Sequence, residues 1–583
     1  MPIRWSWFLK WQGLLIFLAA LAVGWVIRSV STSPRPPMTK IHDDFRFSDV
    51  TKSFGINFYY EDPIFPPPLH GKERIFFIGG GVAVADVNGD GWMDFFLPTA
   101  RSGSKNHLYI NQQGHGFREA AEEWGVADTN QKAASIAPLF FDYDNDGKPD
   151  LFVAGLGCSH LFKNMGAHFE DVSESSGLSD CRNAVGAIPL DYDNDGFLDL
   201  YVLRYWGPQD FFHLTTPHIW TENVFDSKNG GRETLYRNRG DGTFEDVTDL
   251  VGGADPHWSY DAALVDLDGD GALDILMAND FGPDVFFSLR NSKLVDESYR
   301  LGVPDRRQGM SVSLGDLTSD GTPHVYVSNI YERQYHQEAN FLWKFDRKGA
   351  AHDEAEDRGV ENCGWAWGSA FADFNLDGFQ DLYVANGMIT SRDPKPYSFK
   401  AATLMTLPGF FIMDTSKWPP LGDLSWSGGQ TDCIFMNRGD HFENASLLLG
   451  PGIPWDGRAV ALIDFDNNGS EDLIVTTQNE SAHLLKNEIS AGNRWISFRL
   501  IGTKSNRDAV GARIAVRQGK NVWYRWATGG RTGLMATSDP RLHFGVPAGG
   551  AVDVEIRWPS SLIQRLPGLK TGKNYEVVED GSP

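Results

Sequence analysis

Carboxylates on alternate residues followed by a glycine make a loop that can wrap a hard cation, and this chain carries such a loop in Asp142-Tyr143-Asp144-Asn145-Asp146-Gly147-Lys148-Pro149-Asp150. Oxygens at positions one, three, five and nine can surround one ion. The glycine at position six permits the sharp turn, and the backbone carbonyl at position seven can add a ligand. Six or more carboxylate and carbonyl oxygens suit calcium better than zinc or copper.

The pattern recurs with starts at Asp86, Asp142, Asp191, Asp266, Asp316, Asp373 and Asp464. Asp142/Asp144/Asp146/Asp150, Asp191/Asp193/Asp195/Asp199 and Asp266/Asp268/Asp270/Asp274 are complete. Asp86/Asn88/Asp90/Asp94, Asp373/Asn375/Asp377/Asp381 and Asp464/Asp466/Asn468/Asp472 replace one carboxylate by an amide, which still offers an oxygen. The fifth copy keeps Asp316, Asp320 and Gly321 but has Thr318 and His324 at positions three and nine, so six occupied sites and one empty or weak site are expected. A single copy reads equally well as an Asp/Gly-rich hairpin turn without metal; repetition in register favours the metal reading.

The elements that must position these loops are short strands. Small and apolar residues lead in, as in Gly81-Val82-Ala83-Val84-Ala85 and Ala459-Val460-Ala461-Leu462-Ile463; a second apolar strand leaves, as in Asp150-Leu151-Phe152-Val153. A third strand ends in asparagine in Leu108-Tyr109-Ile110-Asn111, Leu161-Phe162-Lys163-Asn164, Leu235-Tyr236-Arg237-Asn238, Ile434-Phe435-Met436-Asn437 and Leu484-Leu485-Lys486-Asn487. A fourth is typified by Phe244-Glu245-Asp246-Val247-Thr248. Four antiparallel strands per repeat predict an all-β, seven-bladed β-propeller with calcium-binding loops over 41–489. The last repeat lacks a fourth strand, and Phe47-Ser48-Asp49-Val50-Thr51 supplies one from the N-terminal side, a latch that closes a ring.

The loops hold 23 aspartates, and the net charge is −25. So many carboxylates around one ring repel strongly without cations. Metal is therefore expected as a folding requirement. A chain this acidic is not expected to bind nucleic acid.

Residues 1–40 read as an export segment and linker. A basic start (Arg4, Lys10) precedes the apolar run Gly13 to Ile27. Ala20-Leu21-Ala22 resembles a cleavage site but lies inside that run, which favours an uncleaved membrane anchor facing outside the cytoplasm over a secreted product. In that compartment Cys158/Cys181 and Cys363/Cys433 are candidate disulfides, with buried thiols as the alternative. From about Ala491 the balance turns basic, 14 Lys+Arg against 7 Asp+Glu, and strand-like alternation predicts a small C-terminal β-sandwich over 490–583. Docking on the acidic propeller or a plain soluble surface is the preferred reading of that charge, with an acidic partner as the alternative.

The loops and flanking strands resemble FG-GAP/VCBS repeats. The stretches Gly502-Thr503-Lys504-Ser505-Asn506-Arg507-Asp508-Ala509-Val510-Gly511-Ala512-Arg513, Ser538-Asp539-Pro540-Arg541-Leu542-His543-Phe544-Gly545 and Arg557-Trp558-Pro559-Ser560 resemble an ASPIC/UnbV domain. Together they resemble the cartilage acidic protein family, which implies calcium binding and export without fixing one activity. Gly529-Gly530-Arg531-Thr532-Gly533 departs from the family by lacking an aromatic in its glycine stretch.

A non-catalytic, calcium-stabilised binding protein is the leading functional expectation; its ligand, whether glycan, protein or small molecule, is not legible. No phosphate cradle, nucleophile elbow or zinc-spaced cluster is evident in the sequence. The alternative is an extracytoplasmic enzyme built from two long insertions. Its candidates are Tyr205, Trp206, His213, His218 and Trp220 in the first, and Trp418 and Trp426 in the second. Packing of those loops is the plainer reading of the same residues, and ligand recognition is placed in the insertions 205–228 and 390–430.

Overall fold

The computed structural model describes residues 46–580, except 132, 180, 268–271, 333–335, 347–348, 392, 406–408, 450–454, 479 and 493. The chain divides into two units, Met1–His42 and Asp43–Pro583. The expected export segment lies outside the described residues. None of the described helices is long and apolar enough to cross a membrane.

The second unit is nearly all β. Among the described residues it contains seven sheets in which four strands follow one another antiparallel, one sheet per sequence repeat. In the second repeat, Ala134–Phe141, Asp150–Leu156, His160–Asn164 and Phe169–Asp171 form the sheet in that order. Each cation loop joins the first two strands, with its last aspartate opposite the residue that precedes the loop: Phe141 faces Asp150, and Ile463 faces Asp472. The seventh sheet takes its outer strand from the other end of the unit. Phe47–Asp49 pairs antiparallel with His483–Asn487, Phe47 opposite Asn487, as the sequence pattern predicts.

The first strands of successive sheets lie side by side, and that of the seventh lies against that of the first. Small residues make this approach possible. A Cβ on Gly368 would sit 2.4 Å from the carbonyl oxygen of Arg458. Between sheets the faces are filled by buried apolar side chains, such as Phe140, Leu151, Val153 and Phe162 against Ala83, Phe96 and Leu108.

The C-terminal residues form two further sheets around their own core. Trp495–Ile501 pairs with Leu542–Gly545 and, in parallel, with Lys573–Val578. Arg513–Gln518 pairs with Asn521–Trp526 and Ala551–Arg557, the last of which pairs with Ile563–Lys570. Ile496, Phe498, Ile514, Val516, Ile556 and Val577 are buried between them. The sequence predicts a separate small sandwich here, and these sheets are not separate from the repeats. The hairpin Arg531–Gly533 and Ala536–Thr537 leaves them and enters the ring of first strands, where Ala536 and Thr537 pair in parallel with Val82 and Ala83.

That hairpin touches every one of the seven sheets. Val82 N donates to Met535 O (3.1 Å), Thr537 Oγ1 to Pro138 O (3.4 Å), and Leu462 N to Ser538 Oγ (2.8 Å). Gly529 packs on Pro189, and Arg531 makes a buried ion pair with Asp261. Leu534 N donates to Ser311 Oγ (2.9 Å), and Gly533 lies against Ser369 O. The stretch is tightly packed at its glycines: a Cβ on Gly533 would lie 2.4 Å from Ser369 O, and one on Gly530 2.6 Å from Ser538 O. Two disulfides, Cys158–Cys181 and Cys363–Cys433, are formed. They fit an oxidising, extracytoplasmic compartment.

Candidate metal centres

Each loop is held open by its own backbone. In the second loop Asp142 Oδ1 accepts from Asp146 N (3.1 Å) and Oδ2 from Gly147 N (2.7 Å). Asp150 Oδ1 accepts from Asn164 N (2.7 Å) and Oδ2 from Tyr143 N (3.3 Å). The same bonds recur at Asp86 and Asp94, at Asp191 and Asp199, and at Asp373 and Asp381. Two left-handed residues bend each loop whose turn is described. Position six is the expected glycine (Gly147, φ 87°), and position four is left-handed too: Asn145 φ 61°, Asn194 φ 54° and Asn467 φ 53°. Asparagine tolerates that region better than other side chains; at Leu376, φ 57°, the sixth loop has no such residue.

These bonds converge the acidic oxygens. Ligand atoms of Asp142/Asp144/Asp146, of Asp191/Asp193/Asp199 and of Asp464/Asp466/Asp472 lie within 4.8 Å of one another. Asp193 Oδ1, Asp466 Oδ1 and Asp472 Oδ2 are buried with no hydrogen-bond partner. Burial, reinforced by neighbouring carboxylates, pushes Asp150 up to about 9, Asp94 and Asp199 to about 8, and Asp142, Asp191 and Asp373 to about 7. Such groups need a cation or a proton, and an all-oxygen donor set fits a hard divalent cation.

Position five differs from loop to loop in how its oxygens are engaged. Asp195 stands outside the close group formed by Asp191, Asp193 and Asp199. It is exposed, with Oδ1 accepting from Phe197 N (3.0 Å) and Oδ2 from Arg237 (3.1 Å). Asp90 is exposed as well and belongs to no close acidic group among the described residues. Its Oδ1 accepts from Trp92 N (2.9 Å) and its Oδ2 from Asn88 Nδ2 (3.2 Å). Asn468 differs from the carboxylates around it, since its single oxygen already accepts from Ser470 N (2.7 Å) and Ser470 Oγ (2.5 Å). The physical reason is shared. A short polar side chain here caps the amide two residues on, so the turn competes with any ion for its oxygen. Asp146 makes the same bond to Lys148 N (3.0 Å) yet stays within its close group.

In the first and sixth loops Asn88 and Asn375 stand among the aspartates as expected, each accepting through Oδ1 from the position-five amide, Asp90 N (2.9 Å) and Asp377 N (3.1 Å). In the fourth loop Asp266 and Asp274 are described, with Asp274 Oδ1 accepting from Leu289 N (3.0 Å); Asp268 and Asp270 lie outside the described residues. The fifth loop keeps the backbone bonds to Asp316 but brings in a fully buried His324, whose ring burial depresses to about 4. A neutral imidazole there supplies no anionic ligand.

Two roles were not foreseen from the sequence. The asparagine ending the third strand donates through Nδ2 to the preceding repeat's loop, at the residue after its first aspartate. Asn164 reaches Val87 O (2.9 Å), Asn238 reaches Tyr143 O (2.7 Å), Asn437 reaches Leu317 O (3.1 Å), and Asn487 reaches Phe374 O (2.9 Å). Asn111 reaches Phe465 O (2.8 Å), joining the first repeat to the seventh. The recurrence of that asparagine was visible; its inter-repeat partner was not.

In three repeats the residue before that asparagine is a cation paired with the aspartate at loop position three: Lys163 pairs with Asp144, Arg237 with Asp193 (2.7 Å), and Lys486 with Asp466 (2.6 Å). In the fourth and fifth repeats that position is Asp268 and Thr318, and the strand carries Ser288 and Lys344. Where it is Asn88 or Asn375 the strand carries Ile110 or Met436. Counting loop aspartates against that one strand residue, the first, second, third and sixth centres each keep a net charge of −3.

The insertion candidates do not converge into a reactive site. Tyr205, Trp206, Trp220, Trp418 and Trp426 are buried in one aromatic core. Tyr205 stacks on Tyr260 at 4.0 Å and donates to Asp280 Oδ2 (2.5 Å); Trp418 Nε1 donates to Ile412 O (2.9 Å). His213 and His218 are exposed. The insertions follow second strands, so they lie at the ends of the sheets away from the cation loops. There their rings cover apolar surface, which is packing.

Comparison with known proteins accords with this anatomy. Residues 86–153, 142–202, 223–277 and 266–327 match the FG-GAP-like repeat, and residues 502–583 match the ASPIC and UnbV domain. The chain is therefore an FG-GAP-repeat protein with a C-terminal ASPIC/UnbV domain. It is similar to cartilage acidic protein 1 of Xenopus tropicalis, 25% identical over 485 residues that cover 75% of this chain and 72% of that protein. The Homo sapiens protein of the same name is 24% identical over 502 residues, 78% and 73% of the two chains. Among solved structures, BBS1N from its complex with ARL6DN aligns at TM-score 0.39 and 9% identity over 76% of this chain and 97% of that one, a likeness too slight to bear on function.

Proposed function

We propose that this chain is an exported interaction protein whose body is a seven-bladed β-propeller over 41–489, stabilised by about six calcium ions and capped by the ASPIC/UnbV-like sandwich of 490–583. The observation that carries this reading is the repetition of one carboxylate cradle at the same point of successive sheets, with buried acidic oxygens that have no protein partner. The residues that would hold the ions are the position one, three and nine side chains of six loops, the loop at Asp316 being the exception. Position five would join them in the second loop, where Asp146 lies in the close group. Calcium would supply no chemistry here beyond neutralising and tying together carboxylates that otherwise repel.

Recognition is assigned to the outer surface of the two insertions, where Phe225 and Phe410 are exposed. Aromatic side chains held at a surface are favourable contacts for a partner. The two disulfides, together with the expected N-terminal export segment, support a location outside the cytoplasm.

Native mass spectrometry of protein purified in calcium tests the metal count. Six bound ions, falling by one in an Asp150→Asn variant and unchanged in Asp316→Asn, are the expected result. No bound calcium, or loss of an ion on substituting Asp316, would refute the assignment.

A further inference from the structure

The C-terminal stretches that are most distinctive in sequence meet the cation-loop face of the ring, and docking accounts for only some of them. Asp142 N donates to Asp508 Oδ2 (2.8 Å) and Arg507 N to Asn145 Oδ1 (3.2 Å). Arg541 donates to Asn467 Oδ1 (2.6 Å) and Asp464 O (3.0 Å) while gripping Asp539 through Nε (2.9 Å to each oxygen). Around these contacts the two bodies do not close up. They leave a cavity of about 330 Å³, within the range of small-molecule sites.

Its wall carries cations that docking does not use. Arg525 donates to the carbonyl of its neighbour Tyr524 (2.9 Å) and stands 5.0 Å over the Phe544 ring. Among the described residues neither Arg525 nor Arg499 has a carboxylate within ion-pair distance, and both line the cavity. His543 also lines it. That residue is 7% exposed, and neither ring nitrogen makes a hydrogen bond. Its Nε2 stands 3.8 Å from Asp539 Oδ2, which Arg541 also holds. Of the acids in the wall, Asp86 and Asp142 belong to the cation loops and Asp508 serves Asp142 N, which leaves Glu471 and Glu576.

We propose that this cavity is a binding site for a small molecule bearing an oxyanion group, a carboxylate, sulfate or phosphate, which Arg499, Arg525 and His543 receive. A guanidinium presents parallel donors that match two oxygens of such a group. His543, beside Asp539 Oδ2, adds a ring donor to the same wall. Glu471, on the same wall, would accept a hydroxyl or amine donor of the ligand. The site adjoins two of the cation loops, whose Asp86 and Asp142 form part of its wall.

Calorimetric titration of the full chain with sulfate, methyl phosphate and acetate tests this, with calcium and ionic strength equal in every arm. At least one probe should bind saturably at one site per chain, and the arm that binds most tightly names the ligand's acid group. Arg525→Gln and Arg499→Gln should each weaken that binding tenfold or more. No saturable binding by any probe, or unchanged binding in variants that retain the wild-type circular dichroism spectrum, would overturn it. Should both variants misfold, crystals of the unaltered protein grown with selenate decide. An anomalous peak within hydrogen-bond reach of Arg525 is expected, and a map without selenium in the cavity would overturn the proposal.

Discussion

Lys163, Arg237 and Lys486 each sit on the position-three carboxylate of a cation loop, and the first and sixth repeats, which have an amide there, carry Ile110 and Met436 instead. A strand ammonium beside a metal carboxylate lowers the pull of the site on a divalent ion. At a few ångströms and an effective dielectric near 20, one unit charge is worth about 3 kcal/mol before screening. Lys163→Met should therefore tighten calcium at the second loop by roughly tenfold after screening, measured by calorimetry on the otherwise unchanged chain. Asp144→Asn combined with Lys163→Met should restore an affinity near that of the wild type, since it reproduces the first and sixth loops. Equal affinity in the single variant would show that the ion pair is surface ornament. The acidic cradles were legible because carboxylate spacing encodes them. Spacing does not register that the turn's own amide also engages the oxygens of Asp90, Asp195 and Asn468. The strand cation was hidden too, because its partner lies 19 residues away in the second repeat and 44 in the third, and only pairing of the strands brings them together.

The hairpin Arg531–Thr537 decides how ring and sandwich depend on each other. Its residues and those beside it bond to five of the sheets and pack against the third and sixth through Gly529 and Gly533. A Cβ at Gly533 would meet Ser369 O at 2.4 Å and Ser311 Oγ at 2.7 Å. Forcing extra atoms into such a place costs about 1–3 kcal/mol. Gly533→Val should lower the melting temperature of the whole chain by several degrees in one transition. Gly186→Ala, where the added atom meets only Leu203 Cδ1 at 3.7 Å, should change it little. Two separate transitions in Gly533→Val, with the ring unaffected, would contradict the coupling. Strand order within each repeat was readable from hydrophobic alternation and loop chemistry. The plug was not, because a run of glycine, threonine and alanine carries no period, and its burial is imposed by seven strands that come from elsewhere in the sequence.

Across the whole molecule the loop carboxylates make stability a joint function of pH and calcium. Without metal, Asp94, Asp150 and Asp199 have folded pKa values of about 8 to 9 against an ordinary value of 3.8. A raised folded pKa contributes stability that is full below the ordinary value and lost as pH rises through the folded value. The metal-free chain should therefore lose stability steadily from about pH 4 to pH 9, and thermal unfolding in chelator at several pH values checks the slope. Saturating calcium competes with those protons, so its stabilising increment should grow over the same interval. The most direct measurement is the melting temperature at neutral pH in calcium and in excess chelator. A ligand that binds only the folded state contributes about 2.7 kcal/mol per site at a hundredfold excess over its dissociation constant, and several sites act together here. The account predicts that chelation lowers the melting temperature by well over ten degrees or abolishes cooperative unfolding; superimposable curves with and without chelator would contradict it.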